Sequence, residues 1–89
     1  MKTIKIEVFG RVQGVYFRAN TCQKALDLGI KGFVKNQSDG SVEFIADGEE
    51  GRLEELVDWC YKGPILAKVT EVIVTSLLPQ GFNNFITSK

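Results

Sequence analysis

The chain has 89 residues, 44% of them apolar and 25% charged, which suits one compact domain over residues 1–89 and excludes a multidomain enzyme. Eleven Lys and Arg balance eleven Asp and Glu, so no global field draws in nucleic acid or an anionic membrane, and any anion site must be local. The sequence has no histidine, which removes Ser-His and Cys-His nucleophile pairs, the usual zinc ligands and the commonest proton carrier near neutral pH.

The amino end alternates apolar and polar residues through Ile4, Ile6 and Val8, the period of a strand with one face on a core. It presents no apolar signal core, and no apolar run approaches the ~20 residues of a membrane span, so a cytoplasmic protein is expected. Gly10 and Gly14 bracket a turn. From Phe17 to Leu28 the residues Ala19, Cys22, Ala25 and Leu26 recur at helical steps, and Gly29 supplies a stop. Two strand-like runs, Lys31 to Gln37 and Ser41 to Ala46, flank the hairpin chemistry of Ser38-Asp39-Gly40.

A second helix is marked by the stripe Leu53, Leu56, Val57 and Cys60, with Arg52, Glu54, Glu55 and Asp58 on its wet side and Gly63-Pro64 ending it. The β-branched run Lys68 to Ser76 follows as a fourth strand, and after Pro79-Gln80-Gly81 a segment around Phe85 offers a short fifth strand at an edge. The order βαββαβ, with right-handed crossovers, places both helices on one face of an antiparallel-rich sheet: an α+β, ferredoxin-like two-layer sandwich. Such a fold hosts enzymes and binders alike. Cys22 and Cys60 are too few for a disulfide scaffold or a metal box and read as free thiols.

Chemistry concentrates in Gly10-Arg11-Val12-Gln13-Gly14-Val15-Tyr16-Phe17-Arg18, which joins the first strand to the first helix. A strand-to-helix junction exposes backbone N–H groups at the positive end of a helix dipole, and glycines let the chain close around an anion. Arg18, in the first helical turn, can place its guanidinium fork over such a cradle and hold two oxygens of a phosphoryl group. No Lys-Ser or Lys-Thr follows Gly14, so the loop is not a P-loop, and Cys22 follows Arg18 where a tyrosine-phosphatase loop has its cysteine first. Tyr16 and Phe17 read as core or rim aromatics. The same residues also suit an ordinary βα turn, and spacing alone leaves both readings open.

Asn36, near the end of the second strand, is the other candidate. Asn favours turns, so it can simply open the hairpin. Its amide also offers an acceptor and donors together, which can orient a water molecule without a change of protonation state. Asp39 is explained by the turn, and Glu49, Glu50, Glu54 and Glu55 by a solvated helix face.

The loop Gly10 to Arg18, followed by the run Ala25 to Glu43 that contains Gly29, Gly32, Phe33, Asn36, Asp39 and Gly40, closely resembles the acylphosphatase family. Both signature blocks stand in order and at the family's spacing, and the likeness runs from the first strand through the second helix. It implies hydrolysis of the carboxyl-phosphate bond of small acyl phosphates to a carboxylate and inorganic phosphate. Carried over by position, the backbone amides of Arg11, Val12, Gln13, Gly14 and Val15 would cradle the phosphoryl group, Arg18 would clamp it, and Asn36 would position the attacking water. A small acyl phosphate is then the expected partner of a monomer that needs neither cofactor nor metal. Ile30 and Phe33 stand where the family often has Leu and Trp, and Phe85 to Lys89 breaks the alternation expected of a closing strand.

An RNA-recognition module shares the element order, and Lys31-Gly32-Phe33-Val34 faintly echoes its aromatic strand motif. That echo falls on the second strand where base stacking belongs on the third, and zero net charge offers no field to track phosphates. A small-molecule regulatory domain, or a relic of the fold that binds without turnover, is the remaining alternative.

Overall fold

Alternating β-branched residues make β1 (Lys2–Arg11) the central strand: Ile4, Ile6 and Val8 are buried, while Lys5, Glu7 and Phe9 on its other side are half-buried. It pairs antiparallel with both β3 (Val42–Gly48) and β4 (Lys68–Leu77). Next, β2 (Lys31–Asn36) pairs antiparallel with β3, and β5 (Phe85–Ser88) pairs parallel with β2, which gives the spatial order β4-β1-β3-β2-β5. The computed structural model describes residues 2–88. Two helices, α1 (Phe17–Asp27) and α2 (Glu50–Lys62), lie on one face of this sheet, α1 over β2 and β5 and α2 over β1, β3 and β4.

The core between the layers joins Ile4, Ile6 and Val8 to Phe44, Leu53 and Leu56, all buried. In α2 the buried residues Leu53, Leu56 and Cys60 keep the expected three- and four-residue steps, and Gly63 closes the helix by donating its N–H to Trp59 O at 2.7 Å. Burial pushes the Cys60 thiol well above its ordinary pKa, so it is a neutral packing residue. Cys22 and Cys60 are both free thiols.

The inner stripe of α1 differs from the one its sequence suggests. Ala19 and Leu26 are exposed, Leu26 by 50%, while Phe17, Thr21 and Ala25 are buried and Cys22 is half-buried. Phe17 decides the rotation of the helix, because its ring is wedged between Phe44 at 5.9 Å and the edge of Trp59 at 5.4 Å. The last turn also stops one residue early. Leu28 caps the helix, with its N–H reaching Lys24 O at 3.1 Å, before Gly29 turns into the left-handed region at φ 70°.

At the carboxyl end the sequence leaves the partner and direction of the last strand open, and the structure resolves both. Gly32 N–H donates to Asn84 O at 2.7 Å, and Phe85, buried against the core, stands opposite Gly32 in a parallel register. On the sheet face away from the helices, Phe33 lies 5.8 Å from the Phe82 ring with Lys35 Nζ 5.7 Å over it, so this aromatic already has intramolecular partners. Among the described residues, no helix is long and apolar enough to cross a membrane.

Candidate active site

A site at the sheet edge of α1 begins with a break in the β1–β4 ladder. The register shifts between Phe9 and Gly10, and a Cβ on Gly10, whose φ is 121°, would fall on the backbone of Lys68. Only glycine lets the end of β1 approach β4 this closely and then turn away. Arg11 is the last residue of the strand and is exposed, whereas Val12 and Val15 are buried and hold the loop to the core. Gly14 between them takes φ 73°, and Tyr16 takes φ 64°, a left-handed conformation that costs a non-glycine residue about 1–2 kcal/mol.

Two buried neighbours offset that cost. Val15 and Phe17 are both anchored, and the backbone between them leaves the Tyr16 side chain 73% exposed. Tyr16 serves as N-cap of α1 with no side-chain hydrogen bond, and the first turn carries no acidic residue. Among the described residues, no turn or loop backbone hydrogen bond takes its donor from the amides of residues 12–16. A run of N–H groups at a helix start, with no carboxylate to neutralise it, favours an anion.

The loop does not stand alone. Gln13 reaches across to the β2–β3 hairpin, where its Nε2 donates to Gln37 O at 2.7 Å and to Ser41 O at 2.9 Å. The hairpin is closed by Gln37 N–H donating to Ser41 O at 2.8 Å, and Asp39 Oδ1 accepts from Ser41 N–H at 2.9 Å and from Ser41 Oγ at 2.6 Å. These bonds hold the Asp39 carboxyl below its ordinary 3.8, so its support of the turn is complete above that value and is lost as pH falls through the lowered one.

Asn36 is the last residue of β2, opposite Val42 and beside that hairpin. Sequence reasoning singled out Gln13 for its backbone alone. A side-chain tether to carbonyls 24 and 28 residues away leaves no local pattern in the chain. Gln13→Ala is expected to lower stability by about 1–2 kcal/mol in urea unfolding, for two lost hydrogen bonds, and to lower kcat/KM on the order of 10- to 100-fold by loosening the loop.

Four of the candidate residues, Val12, Gly14, Arg18 and Asn36, share one cleft. A cavity of about 390 Å³ is lined by Val12, Gly14, Tyr16, Phe17, Arg18 and Asn36, together with Ala19. Arg18, half-buried in the first turn of α1, thus shares a wall with the loop glycine and with Asn36. Arg11, Gln13 and Val15 do not line the cavity: Arg11 lies in the ladder opposite Lys68, Gln13 is turned toward the hairpin, and Val15 is packed in the core. Among the described residues, no three His, Cys, Asp or Glu side chains gather where they could hold a metal ion.

Comparison with known proteins covers almost the whole chain. The acylphosphatase family pattern matches residues 4–87. An acylphosphatase of Marinobacter nauticus is 49% identical over 82 residues, spanning 91% of this chain and 89% of its own. One from Thermococcus kodakarensis is 41% identical over 87 residues, 96% of each chain. The crystal structure of acylphosphatase from Bacillus subtilis superposes with a TM-score of 0.97 at 37% identity, covering 100% of both chains. Two helices on a five-stranded mixed sheet therefore form the ferredoxin-like fold, and the protein belongs to the acylphosphatase family.

Proposed function

We propose that this chain, as one acylphosphatase domain over residues 1–89, hydrolyses small acyl phosphates at the cleft between the β1–α1 loop and the end of β2. The observation that supports the reading is the shared cleft: Val12 and Gly14 of the loop line one cavity with Arg18 and Asn36, and it is large enough for a phosphoryl group. Of the loop from Arg11 to Val15, the backbone at Val12 and Gly14, the two residues that line the cavity, offers its amides to the phosphoryl oxygens. Arg18 holds two of them and offsets the charge that spreads over them in the transition state.

Asn36 accepts a hydrogen bond from the attacking water and keeps its lone pair aimed at phosphorus. The water oxygen forms the new P–O bond in line as the bond to the acyl oxygen breaks, so the products are inorganic phosphate and a carboxylate. That leaving group is stable as an anion, with a pKa of about 4, and departs without a general acid. A phosphoryl oxygen of the substrate takes the water's proton, which suits a chain without histidine.

Purified protein mixed with acetyl phosphate is expected to release inorganic phosphate without added metal, and kcat is expected to stay level between about pH 6 and 8. No release of phosphate would refute the activity. A rate that required one deprotonated protein group near neutrality would refute the substrate-assisted proton transfer.

A further inference from the structure

A second depression adjoins the phosphate cleft, and the mechanism above leaves it without a task. It is a groove of about 680 Å³ between α1 and the turn from α2 to β4, lined by Val15, Tyr16, Ala19, Trp59, Ile65 and Leu66 along its apolar walls. Gln23, Lys24 and Asp27 rim its far end. Tyr16 and Ala19 line both this groove and the phosphate cleft, so the two are neighbours within a single helical turn. Ile65 and Leu66 are 99% and 59% exposed, and with Tyr16 they set three large apolar side chains around the groove that the fold itself does not bury.

We infer that this groove is the acyl subsite, and that the enzyme prefers acyl phosphates carrying an extended apolar acyl chain. The inference rests on the phosphoryl site proposed above. In-line displacement requires the leaving carboxylate to depart from the side opposite the water. Asn36, which holds the water, is on β2, under α1; the groove lies on the other flank of α1, toward α2, and includes no residue of β2. The departing acyl group is thereby directed over Tyr16 and Ala19 into the groove. Its walls offer an alkyl chain contact with Trp59 and Leu66 while the carboxylate end stays beside the helix start. Tyr16, left-handed in its backbone and exposed in its side chain, lines both compartments.

Acetyl phosphate and hexanoyl phosphate test this directly, since both release an alkanoate of nearly the same basicity and differ only in four methylenes. A fully buried methylene is worth a factor of about four; in an open groove the four together are expected to raise kcat/KM for hexanoyl over acetyl phosphate about tenfold. The double variant Ile65→Ser, Leu66→Ser changes two exposed side chains, and circular dichroism verifies that the fold is intact. In it the hexanoyl-to-acetyl ratio is expected to fall to about two or below. A wild-type ratio near unity, or a ratio unchanged in the double variant, overturns the acyl subsite while leaving the hydrolase reading in place. Failure to turn over either compound overturns the hydrolase reading and the subsite with it.

Discussion

Replacing Arg18 by alanine is expected to lower kcat/KM for acetyl phosphate by about 10³-fold, the scale on which a phosphoryl-clamping arginine acts. Both parameters should move: KM rises because the guanidinium holds the bound phosphate, and kcat falls because the same fork stabilises the greater charge of the transition state. The backbone beneath it should stay in place. Phe17, the neighbouring residue, is 1% exposed and gripped by Phe44 and Trp59, which anchors the start of α1. Arg18→Lys keeps the charge and loses the planar fork, and it should recover only part of the loss. Steady-state kinetics on the three proteins decides the matter; a change confined to KM would contradict a role in the transition state.

Asn36→Ala should act differently, lowering kcat by about 10²-fold with little change in KM, since the amide orients the water and does not hold the phosphate. The residue sits at the end of a paired strand opposite Val42, a position where alanine is sterically acceptable. Asn36→Asp should be slower still, because a carboxylate facing the phosphoryl oxygens adds like charge to a site built to receive an anion. The contrast between the two positions is the useful measurement. Equal effects on kcat and KM from both substitutions would mean that the roles assigned to clamp and water-holder are wrong.

Much of this architecture is legible in the chain because it is carried by local chemistry. The alternation Ile4, Ile6, Val8 and the stripe Leu53, Leu56, Cys60 each match one period of one element, and Asp39-Gly40 supplies its own turn. The loop and Asn36 stand out for the same reason: their residue types are unusual for the elements that contain them. What escaped is decided by partners distant in sequence. Thr21 lies on the buried face of α1 and Ala19 and Leu26 on the wet one because Phe17 is locked between Phe44 and Trp59, a contact with no trace in the helix's own periodicity. The parallel pairing of β5 with β2 depends on Asn84 meeting Gly32, and the left-handed turn at Tyr16 on the anchoring of Val15 and Phe17.

The Gln13 tether carries a consequence for how the protein acquires activity. The loop belongs to the first strand-helix unit, but it is held by carbonyls of a hairpin that lies beyond α1 in the chain. Closing those contacts requires β3 to have docked against β1, where Ile6 meets Phe44 across 38 positions. The ordering entropy of that closure falls before any contact rewards it, so α1 can form early while the cleft assembles only with the sheet. Catalytic competence in this chain is thus a property of the finished topology, and its first helix and signature loop, cut from the rest, would be a peptide without a site.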